Sequence, residues 1–311
     1  MDAAGQRATR FGFGTNGFTN HRLDDALTVL AALGYDGVAL TLDHGHLDPY
    51  ASDFRHQVGR AAGLLGRLGL SVVVETGARY ILDPFRKHFP ALVSDGAERR
   101  IEYLLRAVEA AAELGAEALS FWSGVLPDGT RPEIGWDRLV RGVGRILDAA
   151  AAHGVTLGLE PEPGMLIDTI DRYDELCVRL GHPEHLGLTL DIGHCMCLEP
   201  ATIPDCIRRA GRGLVNVQID DMRRGVHEHL EFGDGEIDFP PVLTALTECG
   251  YSGLVSVELP RHAHAAPQVA RQSLDYLRRA AAVPAETAAV SPALPVLITA
   301  RGDAASPEMA S

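Results

Sequence analysis

Three apolar stretches of the sequence end on a carboxylate, and these acids are Glu160, Asp191 and Glu258. A single acid of this kind has a structural explanation, because aspartate is common in turns and caps the helix that follows a strand. Three carboxylates in one partly buried cavity would repel each other, and the repulsion would neutralise some of them unless a cation joined them. If the three acids meet, the chemistry that they predict is the binding of a divalent metal ion.

An amide occupies the same kind of position as the three acids. The stretch VNVQIDD carries Gln218, whose side-chain carbonyl is a neutral oxygen ligand. Carboxylate and amide oxygens suit Mn²⁺, Mg²⁺ and Co²⁺. For each acid alone, helix capping or an arginine partner explains the residue equally well. As a set they predict one divalent ion, Mn²⁺ first with Co²⁺, Mg²⁺ or Zn²⁺ as alternatives, on Glu160, Asp191, Gln218 and Glu258.

Polar side chains close to these stretches are the candidates for substrate binding. His194 follows Asp191 by three residues, and substrate contact is favoured for it over a structural role. Residues 223–239, RRGVHEHLEFGDGEIDF, are dense in histidine, acid and glycine, which favours a substrate-binding loop over a solvated polar loop. The substrate-binding candidates are Glu75, Arg79, Glu162, His194, Arg223, His227 and His229.

A second segment, residues 78–90 (ARYILDPFRKHFP), gathers positive charge in an otherwise acidic chain. Its basic residues are Arg79, Arg86, Lys87 and His88. Such a cluster fits a phosphate or a carboxylate, which arginine and lysine bind through charge-assisted hydrogen bonds. A solvated charged loop explains the cluster equally well, so both interpretations stay open.

The elements that must position these residues alternate regularly along the chain. Short apolar runs rich in β-branched residues precede longer stretches with helical spacing, such as RLDDALTVLAALGY. Several of the helical stretches end on glycine, which is a helix stop. The predicted strands are residues 11–14, 37–42, 71–76, 118–121, 156–160, 187–191, 214–219 and 253–258.

Eight repeated strand–helix units predict an α/β fold, a single (β/α)₈ TIM barrel over residues 1–283. Continuous apolar runs suit strands that are buried on both faces of a parallel sheet. An open doubly wound sheet would usually carry a G-x-G-x-x-G turn after its first strand, and FGFGTNGFTNH lacks that spacing. In the barrel, the carboxyl ends of the strands meet at one mouth. Residues 284–311, rich in proline, alanine and serine, are predicted to be a flexible tail.

The bulk properties of the chain exclude several classes of protein. A net charge of −14 counts against a nucleic-acid partner, which requires a basic surface. No apolar run approaches the roughly 18 to 20 residues of a membrane span, and the N-terminus lacks the pattern of a secretory signal. Five scattered cysteines argue against a disulfide scaffold and fit a reducing compartment. We therefore expect a soluble cytoplasmic protein.

Four motifs follow one another at successive predicted strand ends. They are LGLEPEP, LDIGH, VQIDD with HEHLEFGDGEIDF downstream, and GYSGLVSVEL. In this order they resemble the xylose-isomerase-like TIM-barrel superfamily, over about residues 10–282. The resemblance implies that Glu160, Asp191 and Glu258 are metal ligands, that Glu160 and Glu258 form a catalytic acid/base pair, and that His194 contacts substrate. The chain departs from the pattern at Gln218, where histidine is usual.

The resemblance implies a metal-dependent isomerase or epimerase of a sugar, a cyclitol or a related hydroxy-ketone. A metal ion would stabilise the enediolate that forms when a carboxylate removes a proton. We expect a small polyhydroxylated substrate, no nucleic acid, no membrane, and a homodimer or homotetramer.

Two alternatives stay open at this point. One is a lyase of the same fold, of the dehydroshikimate dehydratase type, which would use the same machinery. The other is a barrel that binds without catalysis, because Gln218 replaces a usual ligand. A phosphodiesterase like endonuclease IV is disfavoured, since its D-x-H motif reads Gly225, Val226 and His227 here.

Overall fold

A computed structural model describes residues 8–283 of the chain. Eight parallel strands form a closed barrel, and two further strands pair antiparallel as a hairpin. The barrel strands are β1 (Arg10–Gly14), β2 (Gly37–Thr41), β3 (Ser71–Glu75), β4 (Leu119–Trp122), β5 (Leu157–Glu160), β6 (Leu186–Asp191), β7 (Leu214–Ile219) and β10 (Leu254–Val257), and those of the hairpin are β8 (Asp221–Arg223) and β9 (Val226–Leu230). Around the barrel the strands follow the order β1-β10-β7-β6-β5-β4-β3-β2.

Helices connect the strands and surround the barrel. The helices of residues 98–114 and 132–153 are terminated by Gly115 and Gly154, as the sequence predicts, and both glycines adopt the left-handed backbone conformation that favours glycine. The helices are α1 (Leu23–Leu33), α2 (Phe54–Leu68), α3 (Glu98–Leu114), α4 (Pro132–His153), α5 (Ile170–Arg179), α6 (Ile192–Leu198), α7 (Ile203–Ala210), α8 (Phe239–Glu248) and α9 (Ala266–Ala281).

The predicted (β/α)₈ barrel is confirmed, and each predicted strand boundary differs from the observed one by at most one residue. The predicted domain limit at residue 283 stays a prediction. The tail predicted for residues 284–311 lies outside the described residues. Among residues 8–283, no helix is both long and apolar enough to cross a membrane.

The interior of the barrel changes from apolar to polar along its axis. Val73, Ala118 and Leu254 form a buried apolar cluster, with Val215 packed against it. Beyond this cluster, Glu75 at the end of β3 accepts a hydrogen bond from Asn216 of β7. Polar side chains therefore collect at the carboxyl ends of the strands, the end of this fold where active sites lie.

Candidate active site

A cavity of about 510 Å³ lies at the carboxyl ends of the strands. It is lined by most of the residues that the sequence singles out, from β3, β5, β7, α6, the β8–β9 hairpin and the segment after β10. These residues are Glu75, Arg79, Glu160, Glu162, His194, Gln218, His227, His229 and Glu258. The structure thus brings together residues that are up to 183 positions apart in sequence, as between Glu75 and Glu258.

Two of the predicted site residues lie apart from the cavity lining. Asp191 is buried at the end of β6, directly opposite Gln218 in the β6–β7 register. One of its carboxylate oxygens lies within 4.8 Å of ligand atoms of Glu160 and His194. Arg223 is exposed and donates to the backbone carbonyl of Asp234 at 2.8 Å. Asp191 therefore belongs to the acid cluster, whereas Arg223 faces the hairpin rather than the cavity.

Glu75 and Glu160 are buried in the cavity, Glu162 and Glu258 are partly buried, and these acids repel one another. Burial, followed by the negative charges of Glu162 and Glu258, raises the pKa of Glu160 well above its usual range. Burial also raises the pKa of Glu258. For Glu75, burial and the charge of Glu258 raise the pKa to about 8. A positive charge among these carboxylates would relieve both effects.

Several buried oxygens of the cluster have no hydrogen-bond donor among the described residues. Asp191 uses Oδ1 to accept from the backbone N–H of His194 at 2.8 Å and so caps α6, as its position predicts, but its Oδ2 is unpartnered. The side-chain oxygen of Gln218 and Oδ1 of Asp220 are also unpartnered. Buried acceptors without a partner are costly, and a divalent cation satisfies oxygens of this kind. The donor set therefore fits a bound metal ion.

Three groups of side chains within residues 8–283 place possible metal-ligand atoms within 4.8 Å of one another. They are Glu160 with Asp191 and His194, Asp191 with Asp220 and His229, and His194 with His227 and His229. Glu258 belongs to none of these groups. Its Oε1 instead accepts a hydrogen bond from Asn16 Nδ2 at 2.9 Å.

Three histidines lie beside the acids. His227 and His229 alternate along β9 and therefore share one face of the hairpin. The Nε2 atoms of His194 and His227 are 3.1 Å apart. Burial, with the charges of His194 and His229, lowers the pKa of His227 to about 4. Burial acts to lower the pKa of His229 as well, but the hydrogen bond and charge of Asp220, together with the charges of Glu258 and Asp191, outweigh that effect and raise the pKa to about 10.

The basic segment after β3 forms one side of the cavity. Arg79, Lys87 and His88 line the cavity, whereas Arg86 forms an ion pair with Asp83. Three organising residues are absent from the predicted site: Asn16 holds Glu258, Asp220 pairs with His229, and Arg100 anchors the segment after β3. Asn16 follows a predicted strand and Asp220 lies in the VQIDD motif, so position signalled both. Arg100 lies within a helix, and no motif distinguished it.

Comparison with known proteins identifies the family of the chain. The profile of the family described as "Xylose isomerase-like TIM barrel" matches residues 27–280. Among known proteins, the chain is 30% identical over 182 residues to an uncharacterized protein, MJ1311, of Methanocaldococcus jannaschii, and covers 62% of that protein. It is 28% identical over 228 residues to an L-ribulose 3-epimerase of Mesorhizobium japonicum, where the match covers 70% of each chain.

A third relative has a different activity. An inosose dehydratase of Lacticaseibacillus casei is 28% identical over 142 residues, which are 40% of this chain and 46% of the relative. The chain thus spans 45% to 62% of the length of the first relatives that it matches.

Solved structures show the same fold at lower identity. A D-allulose 3-epimerase from Methylomonas sp., in complex with D-allulose, gives a TM-score of 0.69 at 20% identity, covering 87% of this chain and 96% of that one. The IOLI protein, crystallised with a zinc atom, gives 0.68 at 19% identity, covering 88% of this chain and all of that one.

Proposed function

This chain belongs to the xylose isomerase-like TIM barrel family, and we propose that it is a divalent-metal-dependent isomerase or epimerase of a sugar, a cyclitol or a related hydroxy-ketone. The observation that carries the proposal is the pair of unpartnered buried oxygens, Asp191 Oδ2 and the side-chain oxygen of Gln218, in a cluster of mutually repelling acids. The epimerase among its relatives and the sugar bound to a structural neighbour support this substrate class.

Glu160, Asp191, Gln218 and Glu258 are the residues that would hold the ion. Three carboxylates and an amide oxygen suit Mn²⁺, Co²⁺ or Mg²⁺, and the zinc atom in the IOLI protein makes Zn²⁺ a fourth candidate. When bound, the ion supplies positive charge that stabilises an enediolate developing on the substrate.

Proton transfer is assigned to Glu160 and Glu258. The two residues come from β5 and from the segment after β10, and these strands are three places apart around the barrel. Burial raises the pKa of both carboxyls, which moves each towards the range where it can take and return a proton near neutral pH. One would remove the proton next to the substrate carbonyl and the other would return it on the opposite face.

Other side chains would bind and orient the substrate. Asn16 holds Glu258 through its 2.9 Å hydrogen bond, and is therefore a positioning residue. His194, His227 and His229 offer ring nitrogens to the hydroxyl groups of a polyhydroxylated substrate. The expected homodimer or homotetramer and the expected cytoplasmic location stay predictions.

A dehydratase is the second candidate, and the inosose dehydratase among the relatives favours it. Its first step would also be removal of a proton next to a carbonyl, by Glu160 or Glu258. The outcome would differ because a hydroxyl group then leaves from the neighbouring carbon as water. The product would carry a new double bond conjugated to the carbonyl, which absorbs in the ultraviolet.

The proposal is tested by metal analysis and by proton exchange. Wild type, Glu258→Gln and the exposed control Glu98→Gln are purified, incubated with Mn²⁺, desalted and analysed by elemental mass spectrometry. We expect about one ion per chain in wild type and control, and less in Glu258→Gln. Ketoses and inososes are then incubated with each protein in D₂O, and NMR should detect deuterium next to the carbonyl.

Three results would contradict the proposal. If the protein retains no divalent ion, the barrel would bind its ligand without catalysing isomerisation or epimerisation. An ultraviolet-absorbing product without an epimer or isomer would establish the dehydratase. Two or three zinc ions per chain would favour phosphodiester hydrolysis instead.

A further inference from the structure

The segment between β3 and α3 presents Arg79, Lys87 and His88 to the cavity, and we call these three residues the cationic wall. Apart from the substrate contact predicted for Arg79, the proposed function gives these residues no role. We propose that the cationic wall binds an anionic group of the substrate, a phosphate or a carboxylate, so that the enzyme acts on acidic rather than neutral hydroxy-ketones. This inference rests on the proposed function.

The segment that carries the cationic wall is anchored by a buried arginine, although Lys87 itself is exposed. Arg100 of α3 is only 2% exposed, and its guanidinium donates to the backbone carbonyls of Thr76, His88 and Pro90 at 3.0–3.1 Å. The same guanidinium lies over the ring of Trp122, 4.4 Å from the ring centroid. A buried cation that fastens three carbonyls of one segment holds that segment in a fixed shape.

The charges of the cationic wall are uncompensated. Among the described residues, neither Arg79 nor Lys87 forms an ion pair, although the neighbouring Arg86 pairs with Asp83 at 2.7 Å. Burial, reinforced by the positive charges of Lys87, Arg100 and Arg79, lowers the pKa of His88 to about 3. His88 is therefore a neutral imidazole that can donate one hydrogen bond, next to two free cations.

The position of the cationic wall relative to the acids suits a substrate with two different ends. An Arg79 Nη atom lies 3.5 Å from the backbone carbonyl of Asn16, and the side chain of Asn16 donates to Glu258. A cavity of about 510 Å³ is within the usual range for small-molecule sites and accommodates a sugar with one anionic substituent. The carbonyl end would meet Glu160 and Glu258, while the anionic end would meet Arg79 and Lys87.

The test compares ligands that differ in their anionic group. D-fructose, D-fructose 6-phosphate and 2-keto-D-gluconate are titrated into the Mn²⁺-loaded protein by calorimetry. We expect at least one of the anionic ligands to bind about 10- to 100-fold more tightly than D-fructose, since hydrogen bonds to charged groups contribute on this scale. Comparison of the phosphate and carboxylate ligands identifies which anion the cationic wall prefers.

Single-residue variants identify which side chains cause the preference for the anionic ligand. Arg79→Gln should remove most of the preference for the anionic ligand, and the exposed Lys87→Gln should reduce it. Arg86→Gln removes the same charge from the same segment but away from the cavity. This variant should therefore keep the wild-type preference for the anionic ligand. Because Lys87 is exposed, its variant tests the inference even if Arg79→Gln fails to fold.

The outcomes separate this inference from the proposed function. Equal affinity for neutral and anionic ligands, or equal effects of Arg79→Gln and Arg86→Gln, would overturn the cationic wall as an anion site while leaving a metal-dependent epimerase in place. Conversely, binding of inorganic phosphate that depends on Arg79, in a protein that exchanges no proton of D-fructose, D-fructose 6-phosphate or 2-keto-D-gluconate, would support the anion site and reject the isomerase.

Discussion

Asp191 ends β6 and Asp221 begins β8, two residues after the neighbouring strand β7; both are about 1% exposed, but their surroundings differ. The carboxylate of Asp221 accepts from four backbone N–H groups, at 2.8–3.1 Å, which belong to Met222, Gly233, Gly235 and Ile237. The carboxylate of Asp191 accepts one backbone N–H and keeps one oxygen without a partner among the described residues. Burial alone therefore does not distinguish a structural acid from a functional one, whereas the missing donors do.

Asp221, whose carboxylate is fully hydrogen-bonded, fixes the loop that lies beside the candidate site. By binding N–H groups on both sides of a turn, Asp221 holds residues 233–237 against the start of the hairpin that carries His227 and His229. Gly235 is required there, because a Cβ atom at that position would lie 2.2 Å from Asp221 Oδ1. Asp221 thus stabilises the fold, whereas we assign Asp191 to the binding of the metal ion.

Substitution of Asp221 should have the largest effect on stability. Asp221→Asn places an N–H₂ group against backbone donors and leaves buried N–H groups unpartnered, at a cost of about 1–3 kcal/mol each. We expect a loss of about 3 kcal/mol or more in the free energy of unfolding, measured by urea titration of the metal-free protein. A loss below about 1 kcal/mol would show that the loop finds other acceptors.

The matching change at Asp191 should act on metal affinity instead. Asp191→Asn keeps an oxygen that can cap α6 but removes the negative charge, so the affinity for Mn²⁺ should fall about 100-fold, or about 2.7 kcal/mol. Titration with Mn²⁺ followed by electron paramagnetic resonance measures the free ion. The metal-free variant should unfold at the same urea concentration as wild type or higher, because one repelling charge is gone. Unchanged affinity would remove Asp191 from the ligand set.

The fold and part of the site follow from sequence for a common reason. Strand ends follow from apolar runs, and in a parallel barrel all carboxyl ends face one mouth, so Glu160, Asp191 and Glu258 could be placed together before any contact was known. The confirmed closed barrel required only this local information.

The rest of the site depends on contacts between distant segments. Asn16 and Glu258 are 242 residues apart, and no local pattern indicates that their side chains meet. Arg100 is one of several basic residues in a helix, and only the packing of the segment after β3 reveals that it is buried. For Arg223, composition favoured the cavity, but the geometry of the hairpin directs the side chain to Asp234.

Substitution of Glu75 should have a smaller effect on stability, and that effect should depend on pH. Its pKa of about 8 lies above its ordinary value of 4.5, so between these pH values the folded protein holds this proton more tightly than the unfolded chain. The stability of the metal-free protein should therefore fall as pH rises from 5 to 8. Glu75→Gln should reduce that fall by more than about 1.4 kcal/mol, since each pKa unit corresponds to that amount. Urea titrations at both pH values measure the change, and an identical fall in both proteins would mean that Glu75 is ionised throughout.

The smallest effect is expected for an acid that has a close partner but lies on the outer surface. Glu98 and Arg145 form an ion pair at 2.6 Å, yet their side chains are 66% and 49% exposed. Water and salt screen such a pair, and ordering two long side chains opposes it, so Glu98→Gln should change the free energy of unfolding by less than about 0.5 kcal/mol. Urea titration at low and high salt checks this value. A loss above about 1 kcal/mol that salt removes would mean that this surface ion pair stabilises the fold despite its exposure. The expected result instead separates the three acids by burial and by the donors around them, because Asp221 is buried and satisfied, Asp191 is buried and unsatisfied, and Glu98 is hydrated.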